Sequence, residues 1–205
     1  MQGLRDPHFV ARRGLRIKMR ARERIKQTLL ELLKESSADQ LAVKTLCIEA
    51  KISKQTLYNN FYGIPDAIGE AICDIIDENA GRYFAQSNWM TGMEKVLVLF
   101  EENRDIVMHL WNSKWRNEAF EAISSHAYKI IARGIHECEV DSGIRVPRQD
   151  EAIMAGLYLD IFMGLLLRYM EQKMTQDPKQ LVRIYGAVLD KDTSSGLKRI
   201  SEMYK

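Results

Sequence analysis

Apolar residues recur at helical spacing along almost the whole of this chain. Ile25, Leu29, Leu32 and Leu33 fall at i, i+4, i+7 and i+8, which predicts an amphipathic helix over 16–35. Ser36-Ser37-Ala38-Asp39 breaks it. A short helix is predicted from Val43 or Lys44 to Ala50, with Lys51-Ile52 as a turn. Ser53 then suits the N-cap of a third helix reaching Phe61. Pro65 fits the first position of a fourth helix, with Asp66 at its positive end and an apolar stripe of Ile68, Ile72, Ile75 and Ile76. Further on, apolar pieces over 93–100 and 106–111 flank Glu101-Glu102-Asn103. Long helices are predicted over 118–138 and 150–174, separated by Asp141-Ser142-Gly143 and Pro147. Asp177-Pro178 opens another that ends near Leu189, and the polar tail from Lys191 could extend as a last helix. No strand-like alternation and no internal repeat occurs. The pattern is all-α: short N-terminal helices followed by a longer C-terminal bundle.

Composition narrows the class. With 205 residues the chain can bury a sizeable core, and 46% apolar with 28% charged residues is ordinary for a globular protein. Four prolines and twelve glycines are too few for an all-β sandwich with many tight turns. Cys47, Cys73 and Cys138 are odd in number and scattered, which argues against a disulfide framework and suits a reducing, cytoplasmic setting. The N-terminal stretch lacks the apolar core of a secretory signal. The longest apolar run, Ala152 to Leu167, is interrupted by Asp160 and falls short of the roughly 20 residues that span a bilayer. It is expected to be a buried helix, and no membrane partner is expected.

The net charge of +2 hides an uneven distribution. Arg5, Arg12, Arg13, Arg16, Lys18, Arg20, Arg22, Arg24 and Lys26 stand against only Asp6 and Glu23 within the first 26 residues. A basic N-terminal segment on a mildly acidic body is the footprint of a polyanion-binding module, although a solvated tail has the same composition.

The stretch Val43 to Ile68 carries the chemistry. Two short helices joined by a tight turn form a helix-turn-helix unit, with Leu46, Cys47, Ala50, Ile52, Leu57 and Phe61 inward. Lys54, Gln55, Thr56, Tyr58, Asn59 and Asn60 are then outward on the second helix. A solvated helix face usually mixes Glu with Lys, whereas this one holds amide, hydroxyl and ammonium groups without a carboxylate. Such a face suits a major groove edged by phosphates, where Gln and Asn can bond adenine and Lys can reach guanine.

Ser53, Thr56, Leu57, Tyr58 and Phe61 stand in a Ser-x-x-Thr-Leu-Tyr-x-x-Phe pattern that resembles the TetR family of bacterial regulators. Thr45, Leu46, Cys47, Ala50 and Ile52 fit the first helix of that family's motif, and the clear resemblance covers about residues 16–80. It implies a homodimer that binds a pseudo-palindromic double-stranded DNA operator, usually repressing until a small-molecule effector enters the C-terminal domain. By the same resemblance Thr45, Thr56, Tyr58 and Asn60 would hold phosphates, and Lys54, Gln55 and Asn59 would face base edges; Ser53 at the helix start is counted with them. Two positions depart from the family pattern. Lys51 stands where the turn commonly has Gly, and Ile64 stands where the fourth helix commonly begins with a phosphate-contacting Lys. The expected organisation is a basic arm over 1–15, a DNA-binding domain over 16–64 and a ligand-binding and dimerisation domain over 65–205, with 65–86 as the connecting helix.

Large apolar residues in the middle of the chain are either plain core or the walls of an effector cavity. The expected cavity set is Phe100, Trp111, Trp115, Phe120 and Tyr128, with His109, Asn112 and Arg133 as its polar groups. The helix from Glu151 to Met170 is apolar on more than one side. Together with the next helix it is expected to form an intersubunit bundle through Tyr158, Phe162, Leu181 and Tyr185. Asp160, inside that helix, is either a structurally paired acid or one that faces a ligand or the second subunit. His8, His109, His126 and His136 lie far apart and Cys138 does not share a helical face with His136, so no metal site and no cofactor is expected. No phosphate-binding glycine loop or nucleophile elbow is present. An all-α enzyme using the aromatic cavity is therefore the weaker alternative, beside an activator or co-activator whose C-terminal domain docks a protein.

Overall fold

The computed structural model describes residues 7–85, 89–189 and 193–204, with side chains over 21–83, 89–187 and 194–204. The described residues are helical almost throughout. Helix α1 (Pro7–Glu35) is followed by a 3-10 turn at Ala38–Gln40, then α2 (Val43–Glu49), α3 (Lys54–Tyr58) and α4 (Ile64–Ile76). A π-turn over Asp77–Gly81 leads into α5 (Arg82–Ala85). The body comprises α6 (Trp89–Glu102), α7 (Arg104–Trp111), α8 (Arg116–Ser142), α9 (Arg148–Glu171), α10 (Pro178–Leu189) and α11 (Thr193–Glu202).

Most of the predicted boundaries hold to within a few residues, and local chemistry explains where they fall. Asn103 separates α6 from α7, its side-chain amide donating to the Leu99 carbonyl at 2.9 Å. Gly143 ends α8 in the left-handed region at φ 67, a conformation that glycine adopts without a steric penalty. Asp177 accepts the backbone N–H groups of Lys179 and Gln180 and so caps α10. Two expectations change. Helix α1 begins at Pro7 rather than Arg16, so part of the expected arm continues as helix; Arg5 lies outside the described residues, as do the side chains of Arg12 and Arg13. Helix α3 stops at Tyr58 rather than Phe61, because Phe61 turns into the core and the Asn60 amide donates back to the Thr56 carbonyl at 2.7 Å.

Helix α4 lies at the centre of the packing, against α1 on one side and α8 on another, and α8 in turn packs on α9. The apolar stripe of α1 (Ile25, Leu29, Leu33) joins Leu46, Leu57 and Phe61 of the helix-turn-helix unit in the same core as Phe100, Leu165 and Tyr169 of the body. Ile64 and Ile68 belong to that core, which therefore runs without a break across the start of α4. The approach of α4 to α8 is close at Gly69, where an added Cβ would stand 2.7 Å from that of Ala122. Helix α9 is long and apolar enough to cross a bilayer by length and composition alone. Its Phe162, Leu165, Leu166, Tyr169 and Met170 face the protein core instead.

Candidate functional site

The surface around α3 is built from the turn upward. Lys51 has φ 52, in the left-handed region, so the lysine at this glycine-favouring position holds the strained conformation itself. The N–H of Ile52 reaches back to the Cys47 carbonyl at 3.0 Å, closing α2 with the wide bond of a Schellman turn. The chain leaves that turn extended at Ser53, whose Oγ accepts the Thr56 N–H at 3.0 Å and lies 2.9 Å from the Thr56 hydroxyl. Thr56 is consequently half-buried and committed to the cap. Thr45 on α2 and Ser53, Lys54, Gln55, Tyr58 and Asn59 around α3 are all exposed.

Asn60 does not belong with them. Its side chain is buried, its amide caps α3 from within, and its backbone carbonyl accepts a hydrogen bond from Arg22. The helical projection placed it outward, but the helix has already ended there. The sequence reading also passed over Tyr62, 97% exposed in the loop before α4, and Ile48, exposed on α2. The signal for Ile48 was available, since it projects from α2 opposite Leu46 and Ala50. Ile64, the other departure from the family pattern, is buried in the core and offers no polar group.

Helix α3 is held against α1 and α4 by charge as well as by Leu57 and Phe61. The Arg22 guanidinium lies 4.3 Å from the Phe61 ring centroid and pairs in bidentate fashion with Glu70, with Nε to Oε1 at 2.6 Å. Lys26, itself buried, meets Glu23 at 2.7 Å, Glu70 at 3.4 Å and Asp74. Burial alone would raise the Glu70 pKa, but Arg22 and Lys26 outweigh it and hold the carboxyl below its ordinary range. Two of the nine cations counted in the basic segment are thus spent on internal pairs.

The expected effector set is brought together only in part. Phe100, Trp111 and Phe120 border a narrow apolar cleft of about 20 Å³, partly open to solvent, between α4 and the helices of the body. Trp111 and Phe120 meet in a tilted arrangement at 5.3 Å between centroids. Arg116, which the sequence reading did not select, sits over the Trp111 ring at 3.5 Å and is the cation bordering that space. His109 is engaged elsewhere, its Nδ1 2.7 Å from the Leu33 carbonyl at the end of α1. Asn112 at the end of α7 and Tyr128 and Arg133 on α8 are exposed, and Arg133 stands 3.9 Å from Glu137. Trp115 packs half-buried on the core with Lys114 over its ring.

The expected intersubunit set divides as well. Phe162 is buried in the core of the single chain, and the Tyr158 ring lies tilted against Trp89 at 6.3 Å between centroids. Leu181 and Tyr185 are half-buried against the same core. Among the described residues the large apolar side chains left in water on α9 and α10 are Ile153, Leu157 and Ile184, with Asp160 exposed on the α9 face that carries Leu157. An added Cβ at Gly156 or Gly164 of α9 would meet nothing within 4 Å. Cys47 and Cys73 are buried free thiols. Burial raises the Cys73 pKa to about 12, which removes it from thiolate chemistry.

A family described as transcriptional regulator C-terminal region matches residues 87–191. A crystal structure of a candidate transcriptional regulator from Pseudomonas aeruginosa PAO1 superposes with a TM-score of 0.53, covering 87% of this chain and 93% of that one at 16% identity. At that identity the likeness is one of fold. No curated protein matches the sequence.

Proposed function

The chain belongs to the TetR family of transcriptional regulators, and on that premise we propose that it is a homodimeric, cytoplasmic repressor that binds a pseudo-palindromic operator through α3 and leaves it when an apolar effector enters the body. The observation that carries the DNA-binding part is the α3 surface. Its N-terminus is capped by Ser53, and Lys54, Gln55, Tyr58 and Asn59 project from it with no carboxylate among them. Lys54, Gln55 and Asn59 read base edges. Thr45, Tyr58 and the exposed Tyr62 reach phosphates and sugars on either side.

The effector part rests on the apolar space beside Ile72 of α4. A ligand wedged between α4 and α8 acts on the segment that also packs against α1. It shifts the population away from DNA-competent spacing by the difference between its affinities for the two states. Trp111, Phe120 and Arg116 suit an apolar or aromatic molecule with one acidic or hydrogen-bond-accepting group.

Selection of bound DNA from a random pool tests the first part. Gln55→Ala and Asn59→Ala should each weaken binding to the selected site by about 1–3 kcal/mol and relax base preference at the positions they face. Unaltered consensus and affinity in both variants would mean that α3 does not read the bases.

A further inference from the structure

Where the last turns of α8 meet the first turn of α9, three potential metal ligands converge that play no part in the DNA-binding reading. His136 Nδ1 lies 3.5 Å from Glu139 Oε2 and 3.5 Å from Glu151 Oε1. One ligand atom from each residue falls within 4.8 Å of the others. The spacing follows from the fold: His136 and Glu139 are three apart on one helix, and the loop over 143–147 returns the chain so that Glu151 faces them.

Two features set this group apart from a surface ion-pair cluster. The Glu139 carboxylate is fixed, because its Oε1 accepts the Val146 N–H at 2.9 Å and Oε2 is left toward His136. Glu151 Oε1 is closed to solvent and has the His136 Nδ1 at 3.5 Å, beyond a well-formed hydrogen bond, so it is held toward the cluster. Beneath them Ile135, Met154, Ala155 and Leu197 form a small apolar cluster that fixes both helices. In front lies a space of about 370 Å³, part of it open to solvent, large enough for an ion with its water.

We propose that His136, Glu139 and Glu151 form a binding site for a divalent transition cation of the Zn²⁺ type, with a fourth position open to water. A tetrahedral shell with ligands at 2.0–2.2 Å has edges of about 3.3–3.6 Å. The two 3.5 Å separations from His136 are edges of that size. One imidazole and two carboxylates suit zinc better than a hard cation that asks for oxygen alone. Arg145 and Arg148 border the same space and oppose a cation, but both are exposed and screened, whereas the carboxylates bind it directly. Bound metal ties the end of α8 to the start of α9.

Calorimetric titration of the full-length, chelator-treated protein with Zn²⁺ tests this, together with titration by Co²⁺ followed by absorption. One equivalent per chain should bind, and the thermal midpoint should rise with added Zn²⁺. His136→Ala and Glu151→Gln should each weaken binding by at least about tenfold. Glu139→Gln should weaken it too, while retaining the Oε1 acceptor for Val146 and hence the fold. The Co²⁺ complex should show tetrahedral nitrogen and oxygen bands without thiolate charge transfer. Absence of binding, or binding that survives all three substitutions, overturns the proposal. A thiolate band overturns it as well, by assigning the metal to Cys138, two residues from His136.

Discussion

Leu157→Arg should convert the proposed dimer into a folded monomer. In the single chain Ile153, Leu157 and Ile184 are 54%, 60% and 50% exposed, on the faces of α9 and α10 that no other helix covers. Complete burial of such a side chain contributes about 1.5–3 kcal/mol. Covering the exposed part of all three on both subunits then yields roughly 5–10 kcal/mol, comparable with the low end of the association cost. Gly156 and Gly164, open on the same helix, let a second backbone approach closely and add dispersion contacts. Removing Leu157 from both subunits forfeits roughly 2–4 kcal/mol before any charge is considered, a 30- to 1,000-fold weaker dimer. The two guanidinium groups brought near the twofold axis weaken it further. Sedimentation velocity over a concentration series measures the constant, circular dichroism checks the fold, and operator titration should report half-site affinity. Phe162→Arg is the contrast: it buries a charge inside the single chain and should unfold the body rather than split the dimer. A Leu157→Arg protein that remains dimeric, or a Phe162→Arg protein that is a well-folded monomer, refutes this placement of the interface.

Two further outcomes follow from the helix-turn-helix unit. Lys51→Gly relieves a left-handed lysine at a gain of about 1–2 kcal/mol and costs about 0.4–1 kcal/mol through the freer unfolded chain, so the net effect is neutral to stabilising. By calorimetry the thermal midpoint should rise by up to about 4 °C, and a fall would show that the turn is not strained there. Because the folded-state pKa of Glu70 is depressed, its stabilisation is fully present above about pH 4.3 and is lost as pH falls through the folded value. The thermal midpoint of the parent should therefore drop more steeply below pH 4.3 than that of Glu70→Gln; parallel curves would show that Arg22 and Lys26 do not hold the carboxylate.

The helices were legible because their apolar spacing is strong and their stops are chemical: Gly143, Asn103 and the Asp177 cap each act through local backbone geometry. The α3 surface was legible for the same reason, since Ser53 and the inward pair Leu57 and Phe61 fix which side faces out. Legibility failed where orientation depends on contacts distant in sequence. Asn60 is buried because Arg22, 38 residues earlier, takes its carbonyl. His109 is engaged because the end of α1 presents a carbonyl to it, which no local pattern reveals. A helix apolar on several sides, such as α9, does not disclose which side meets its own core. Phe162, expected at the intersubunit surface, stands on the side that meets its own core, and Leu157 on the side that does not. The convergence of His136 and Glu139 with Glu151 likewise depends on the return of the loop between α8 and α9.

The continuous core bears on how a signal could travel in the proposed mechanism. An insulated reading head would leave α3 unaffected by events in the body, but here Ile68 and Ile72 of α4 share one packed cluster with Leu29 and Leu57 on one side and Phe100 on the other. Two polar ties parallel it: His109 on the Leu33 carbonyl, and the Lys114 N–H on Asp39 at 3.0 Å. Close-packed interiors transmit displacement rather than absorb it. At Gly69 the gap to Ala122 is already too small for a methyl group, so α4 has no slack in the direction of α8. An effector that widens the apolar space beside Ile72 must therefore move α4 bodily. Through Glu70 and Arg22 that movement reaches Asn60, where α3 ends, so the residues that hold the reading helix in place are also those through which it would be displaced.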